Sequence, residues 1–185
     1  MKELKLNQIG DIRAFVTPSE FSELTLKSSA LLFFTDFSKV RPLIIESGVS
    51  ALETIHLMKK AHVKLKLVVD ENEQLVGIVS ADDLIERKFV QKLGDGTKRH
   101  ELSISDFMTP REKLTVLEFS DVEKANIGAV IGTLRNSGKQ HCLVIDSDKK
   151  VIRGLFSVSD ISRKLKVDID ILDQPSFAKL ANSLE

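Results

Sequence analysis

The chain contains no tryptophan, no tyrosine and one cysteine, and its 27 basic residues are matched by 27 acidic ones. The lone Cys142 excludes an internal disulfide, which is typical of a reducing compartment. A net charge of zero provides no basic field to attract nucleic acid or an anionic membrane. The longest apolar run, residues 30–34, is far too short to span a bilayer. The first residues are charged and lack the apolar core of a signal peptide, so we expect a cytoplasmic protein.

A short sequence pattern occurs twice in the chain. Residues 77–83 read GIVSADD and residues 154–160 read GLFSVSD, so both copies follow the order glycine, two apolar residues, serine, two variable residues, aspartate. The similarity continues upstream, where LVVD at residues 67–70 matches LVID at residues 143–146. The repeat indicates that the chain contains two similar units.

Each unit is predicted to contain strand, helix, strand, turn, strand and helix in that order. The predicted strands are apolar, and polar turns at residues 71–74 and 147–150 separate the last two strands of each unit. Apolar residues recur at helical spacing before these strands. They are Ala51, Leu52, Ile55 and Met58 in the first unit, and Ile127, Val130, Ile131 and Leu134 in the second. The predicted fold class is therefore α/β (α+β), and units of about 60 residues are expected to pack together because each is marginally stable alone.

The serine and aspartate of the repeat allow two interpretations. A serine at a helix start, followed three residues later by a carboxylate, is a capping box that satisfies free backbone N–H groups. Alternatively, a helix N-terminus beside a hydroxyl favours a phosphate, and a nearby carboxylate can accept hydrogen bonds from a ribose. The glycine lets a ligand or a backbone come close, and Ile78 and Leu155 can cover an adenine ring. The residues alone leave both interpretations open.

The chain resembles a tandem pair of CBS domains (cystathionine-β-synthase type), also called a Bateman module, over residues 33–165. The resemblance rests on both copies of the repeat and on residues 105–110, SDFMTP, which are similar to the segment that opens many CBS motifs. It implies two tandem β-α-β-β-α motifs packed about a pseudo-twofold axis. It divides the chain into an N-terminal extension (1–32), CBS motif 1 (33–92), CBS motif 2 (93–165) and a C-terminal extension (166–185).

The resemblance also implies two clefts, which in the family often hold AMP, ADP, ATP or a related adenosyl ligand such as S-adenosylmethionine. The implied nucleotide-binding residues are Ile78, Ser80, Asp83 and Thr109 in the first cleft, and Leu155, Ser157, Ser159 and Asp160 in the second. Each cleft is expected to include residues of the other unit. These are residues 108–109 and 140–141 beside Asp83, and residues 35–39 and Lys64 beside Asp160. Asp82 occupies the position of Ser159 and would repel a phosphate by about 1 kcal/mol or more. We therefore expect the second cleft to be the better phosphate site.

Neither catalysis nor a metal site is expected. The four histidines show no metal-ligand spacing with Cys142 or with one another, and no nucleophile paired with a base is evident. The sequence thus predicts a non-enzymatic regulatory module that binds an adenine nucleotide, forms a homodimer and acts on a partner protein. The alternative is a ligand-free interaction scaffold, in which the repeated serines and aspartates only cap helices.

Three further segments carry structural predictions. Residues 17–20, TPSE, are typical of a helix start, and Pro175 is expected to open a helix that runs through Leu184. Residues 94–98 are expected to be a linker. His62 occupies the place of the helix-ending Gly138, so a structural role is expected for it.

Overall fold

Two four-stranded sheets and their helices form the described part of the molecule. A computed structural model describes residue 13 and residues 24–93, 98–167 and 176–184. The strands are β1 (Thr35–Asp36), β2 (Ile44–Glu46), β3 (Leu65–Val69), β4 (Leu75–Ser80), β5 (Thr109–Pro110), β6 (Val116–Glu118), β7 (His141–Asp146) and β8 (Val151–Ser157). The α-helices are α1 (Ala51–Lys60), α2 (Glu86–Lys92), α3 (Phe119–Val122), α4 (Ile127–Leu134), α5 (Val158–Leu165) and α6 (Phe177–Asn182). The predicted helix start at residues 17–20 and residues 94–97 of the predicted linker lie outside the described residues.

Each unit has the predicted order β-α-β-β-α. The first unit consists of β2, α1, β3, β4 and α2, and the second of β6, α4, β7, β8 and α5, with the short α3 before α4. In both units the first strand pairs in parallel with the second, and the second pairs antiparallel with the third. The predicted mixed fold class and the internal duplication are therefore confirmed.

The helices form where the apolar spacing predicts them. In α4 all four residues of the predicted apolar stripe are buried, and the Asn126 side chain caps the helix by accepting a hydrogen bond from the Ala129 N–H at 2.8 Å. Helix α1 follows Ser50 and buries Ala51, Thr54 and Met58. Both helices are followed by a residue in the left-handed region, His62 with φ 52° and Gly138 with φ 62°. His62 and Gly138 therefore have the same backbone conformation, as their equivalent positions in the repeat predict.

Each sheet is completed by a two-residue strand from the other half of the chain. The order of one sheet is β2-β3-β4-β5 and that of the other is β1-β8-β7-β6. Gly77 on β4 pairs with Pro110, and Gly154 on β8 pairs with Asp36. The repeated glycine therefore admits a neighbouring backbone at both sites. Residues 33–92 and 93–165 each lend a strand to the other's sheet, and the predicted boundary between them stays a prediction.

The two units have separate hydrophobic cores, and the second core is covered by segments outside the repeat. Ala30 and Phe33 are buried against it, as are Phe177 and Leu180 of α6. The observed α6 lies within the helix predicted from Pro175 to Leu184, and Pro175 itself lies outside the described residues. The first unit, in contrast, leaves apolar side chains exposed on its helices and the residues after them: Leu57, Val90 and Leu93. Among the residues that the structure describes, no helix is long and apolar enough to cross a membrane.

Candidate functional site

Two clefts contain the predicted site residues, four in each. Ile78, Ser80, Asp83 and Thr109 line the first cleft, which has a volume of about 220 Å³. Leu155, Ser157, Ser159 and Asp160 line the second cleft, which has a volume of about 510 Å³. Gln140 and His141 contribute to the first cleft, and Thr35, Phe37 and Lys64 to the second, as expected, whereas Met108 lines neither. Each cleft is therefore built from both units, and the role of these residues in binding stays a prediction.

In the first cleft the serine and aspartate of the repeat are hydrogen-bonded to each other. Asp83 Oδ2 accepts from the Ser80 N–H at 2.8 Å and from the Ser80 hydroxyl at 2.6 Å. Asp83 Oδ1 accepts from Lys88 Nζ at 2.6 Å. The same arrangement occurs between Ser103 and Asp106, which line neither cleft. Helix capping therefore accounts for the first copy of the pattern without a ligand.

Asp82 is held by the opposite unit. The Gln140 side-chain amide donates a hydrogen bond to Asp82 Oδ2 across the first cleft. This contact gives the Asp82 carboxylate a hydrogen-bond donor and reduces the space beside it in the first cleft. Ligand pockets usually have volumes of about 300–1,000 Å³, and the first cleft, at about 220 Å³, lies below that range.

The second copy of the pattern is arranged differently. Ser157 ends β8 and precedes α5, but its side chain makes no capping hydrogen bond. It is 7% exposed, so the hydroxyl lies in the cleft wall rather than in solvent. Asp160 accepts a hydrogen bond from Arg163 Nη2 at 2.5 Å, and the Arg163 side chain is largely exposed. Ser157 and Asp160 therefore do not form the capping hydrogen bonds that join Ser80 and Asp83.

The two clefts also differ in charge. The second is lined by the cations Arg41, Lys64 and Arg163 and by the single carboxylate of Asp160. The first is lined by two carboxylates, Asp82 and Asp83, and by the single cation Lys139. An anion is therefore favoured in the second cleft and disfavoured in the first. Arg41 and Arg163 were missed in the sequence: the spacing of Arg163 from Asp160, one helical turn, was a usable signal, whereas nothing marked Arg41.

Apolar side chains also line the second cleft. They are Phe37, Val40, Pro42, Leu43, Val63, Leu65, Leu67 and Leu155. A cleft lined mostly by apolar side chains with a few polar groups is typical of small-molecule sites. The second cleft therefore offers both apolar surface for a flat ring and cationic groups for an anion.

His141 forms part of the wall of both clefts. It begins β7 and pairs with Ser157 on β8. Burial lowers the pKa of His141 to about 4, although the nearby carboxylates of Asp160 and Asp82 oppose this change. The imidazole is therefore neutral near pH 7.

Residues 35–89 match the family model of the CBS domain. This matched segment contains the whole of β2, α1, β3 and β4, together with β1, which completes the other sheet. The second unit repeats the same topology around its own copy of the pattern.

The fold is that of a tandem CBS pair.

Solved structures agree with this fold. An uncharacterized conserved protein from Pyrococcus horikoshii is 19% identical with a TM-score of 0.59, and the match covers 80% of this chain and 98% of that protein. A conserved CBS domain protein of unknown function from Thermoplasma acidophilum is 20% identical with a TM-score of 0.54, covering 81% and 76% of the two chains. CBSX2, solved in complex with AMP, is 23% identical with a TM-score of 0.53, covering 74% and 94%. No curated protein sequence matches the chain.

At these identities the likeness of the CBS pair to the solved structures concerns the fold. Within the described ranges, no group of three or more histidine, cysteine, aspartate or glutamate side chains is placed to hold a metal ion.

Proposed function

We propose that this CBS pair is a regulatory module that binds an adenine nucleotide, AMP, ADP or ATP, in its second cleft. The observation that carries the proposal is the contrast between the two copies of the repeat. Ser80 and Asp83 are hydrogen-bonded to each other, whereas Ser157 makes no capping bond and lines a cleft of about 510 Å³. In such a cleft the Ser157 hydroxyl and the Asp160 carboxylate, which is paired with the exposed Arg163, match the phosphate and ribose of a nucleotide.

The surroundings of Ser157 support the same ligand. Three cationic side chains line the second cleft against one carboxylate, which favours a phosphate. The apolar side chains that line the cleft can cover an adenine ring. AMP is the ligand named for CBSX2, whose fold is similar. S-adenosylmethionine is the competing adenosyl ligand, and it would not use the cations in this way.

Binding would regulate by favouring one arrangement of the two units. Each sheet contains a strand from the other half of the chain, so a ligand held between the units contacts both. A ligand shifts a conformational equilibrium only to the extent that it binds one arrangement more tightly. The function we propose is regulatory rather than catalytic, with a partner protein as the target of the regulation. A cytoplasmic location remains part of the proposal.

Thermal unfolding tests the proposal directly. A ligand that binds only the folded state at a hundred times its Kd adds about 2.7 kcal/mol to the free energy of unfolding. For a chain of this length that raises the Tm by about 5–10 °C. We expect such a shift with AMP, ADP or ATP at about 1 mM. No shift with any adenosyl ligand, including S-adenosylmethionine, would reject the proposal.

Matched variants locate the site. Asp160→Ala is expected to weaken nucleotide binding about 10- to 100-fold, because it removes a charged hydrogen-bond acceptor. Asp83→Ala, its counterpart in the first cleft, is expected to leave the affinity unchanged. Isothermal titration of both variants measures this difference, and the reverse result would place the nucleotide in the first cleft.

The second candidate function is a ligand-free interaction scaffold. The first cleft favours it, because Asp83 is bonded to Ser80 and Lys88, and Asp82 to Gln140. If Ser157 and Asp160 also served only local structure, no adenosyl ligand would raise the Tm. The thermal experiment therefore separates the two candidates.

We also infer that the module is a homodimer that pairs through the helices of its first unit. A surface cavity of about 810 Å³ lies there, lined by apolar side chains that include Leu52, Ile55 and Ile85. In the second unit, α6 of the same chain packs on α4, whereas no described segment from outside the repeat covers the helices of the first unit in this way. Leu57→Glu on α1 is expected to convert the dimer to a monomer in sedimentation velocity, and Val116→Glu, equally exposed on β6, is not. A monomeric wild-type protein would contradict the inference.

A further inference from the structure

His141 is a titratable side chain in the wall of the proposed nucleotide site. Its side chain is partly buried and contributes to the walls of both clefts. Its backbone pairs with Ser157 on the neighbouring strand. Side chains of directly paired residues on one face of a sheet lie about 4.5–5.5 Å apart at their Cβ atoms. An anionic group bound to the Ser157 hydroxyl would therefore lie next to the imidazole.

Charged groups from several elements face His141. Asp160 lies on α5, Asp82 and Asp83 lie in the turn Ala81–Leu84 that follows β4, and Lys64 directly precedes β3. The three carboxylates favour the protonated imidazole, but the loss of water around the ring, which is the largest effect, and the charge of Lys64 together outweigh them. The result is a pKa of about 4, so the ring is neutral near pH 7 before a ligand binds.

We propose that the second cleft takes an anionic ligand, a nucleotide rather than a nucleoside or an adenosyl sulfonium, and that the imidazole of His141 takes up a proton as the anion binds. This inference rests on the proposed function and names the ligand class of the same cleft. The proton goes from solvent to the free ring nitrogen of His141, and no covalent bond to the ligand forms. The resulting imidazolium pairs with the phosphate.

The strength of the effect follows from the distance. A single negative charge about 4 Å from the ring, at an effective dielectric constant of about 20, favours the imidazolium roughly a thousandfold. With a pKa of about 4 before a ligand binds, the ring is about one-thousandth protonated at pH 7. A thousandfold change brings it to about half protonated. Binding of AMP at pH 7 should therefore take up about half a proton.

Titration calorimetry in two buffers of different ionisation enthalpy measures the number of protons taken up per molecule of ligand bound. We expect AMP to take up about half a proton per molecule at pH 7, where a phosphate with a second pKa near 6 is largely ionised. Adenosine, which lacks the phosphate, should bind without proton uptake. The AMP affinity should fall as the pH rises from 6 to 8, and the adenosine affinity should not change.

The His141→Gln variant should lose the proton uptake and the pH dependence for AMP while its affinity for adenosine is retained. His100→Gln is the control, because the His100 side chain is largely exposed and lines neither cleft, and it should behave as wild type. If His141→Gln did not fold, the His141 imidazole of the wild-type protein would be followed by NMR, where AMP but not adenosine should raise its protonated fraction.

The outcomes separate the two proposals. Binding of AMP with the same proton count as adenosine overturns the role of His141 and leaves the nucleotide site in place. Tighter binding of S-adenosylmethionine than of AMP overturns the selectivity for an anion. Failure of AMP, adenosine and S-adenosylmethionine alike to bind overturns both the nucleotide site and the role of His141.

Discussion

A Cβ atom on Gly77 would lie 2.6 Å from the carbonyl oxygen of Thr109, closer than real Cβ atoms approach other atoms. The corresponding Gly154 is closer still to the carbonyl oxygen of Thr35. These contacts occur where β5 and β1 complete the sheets of the opposite units. The glycine of the repeat is therefore required by the strand exchange, which joins the two units into one module.

This contact predicts the effect of adding one methyl group. Gly77→Ala and Gly154→Ala should each lower the free energy of unfolding by about 1–3 kcal/mol, because the added Cβ must displace a backbone. Gly132→Ala is the control. Gly132 lies in α4 with open space around it, and its replacement should stabilise the protein by about 0.5–1 kcal/mol. Urea unfolding measures all three, and a neutral Gly154→Ala would show that β1 does not hold its place in solution.

The two aspartates of the repeat should differ in their contribution to stability. Asp83 accepts hydrogen bonds from Ser80 and Lys88, so Asp83→Ala should cost about 1–2 kcal/mol. Asp160 contacts the exposed Arg163, and Asp160→Ala should cost less than about 0.5 kcal/mol. Chemical unfolding without ligand compares the two variants. Equal losses would mean that both copies serve as helix caps, which would favour the scaffold.

The stability of the protein should depend on pH through His141. Burial lowers its pKa to about 4 in the folded state, whereas an unfolded histidine titrates near about 6.5. Between these values the unfolded chain binds more protons, so the free energy of unfolding falls as the pH is lowered, by about 1 kcal/mol per unit. Above pH 6.5 this contribution is constant.

Urea unfolding at pH 7.0, 6.0 and 5.0 measures that slope. His141→Gln should flatten it, and His100→Gln should not, because the His100 side chain is largely exposed. An unchanged slope in His141→Gln would assign the pH dependence to other groups.

The single thiol should be unreactive in the folded protein. Cys142 is 4% exposed in the middle of a core strand, and burial raises its pKa to about 11. Since the thiolate is the reactive form, modification by a disulfide reagent at pH 8 should require unfolding. The reaction should be slow in buffer and fast in concentrated urea. Rapid reaction in buffer would show that β7 opens easily.

Much of the fold could be predicted from the sequence because it depends on local patterns. The helical spacing of Ile127, Val130, Ile131 and Leu134 predicted α4, and all four are buried. The upstream match of residues 67–70 with 143–146 predicted β3 and β7 in equivalent places. The strand exchange was not predicted, because β1 and β5 are two residues long and carry no periodicity.

The residues that line the two clefts were predicted, but the hydrogen bonds among them were not. The preference for the second cleft was inferred from Asp82 and Ser159, on charge alone. The geometry supports the same preference for a different reason, since Ser80 binds Asp83 while Ser157 makes no capping bond. No local feature of the sequence shows which of the two serines is hydrogen-bonded to its aspartate.

The sequence by itself determined that there are two α/β units and where α1 and α4 and the repeated strands lie. These properties follow from residue type and spacing within a few turns of chain, and the repeat shows them twice. The residues that line the two related clefts were implied by the resemblance to the CBS family. Only the tertiary structure decided that Ser80 is hydrogen-bonded to Asp83 whereas Ser157 makes no capping bond. It also decided that Gln140 donates a hydrogen bond to Asp82 and that His141 lines both clefts. Those relationships join residues far apart in the chain, so they depend on how the two units pack.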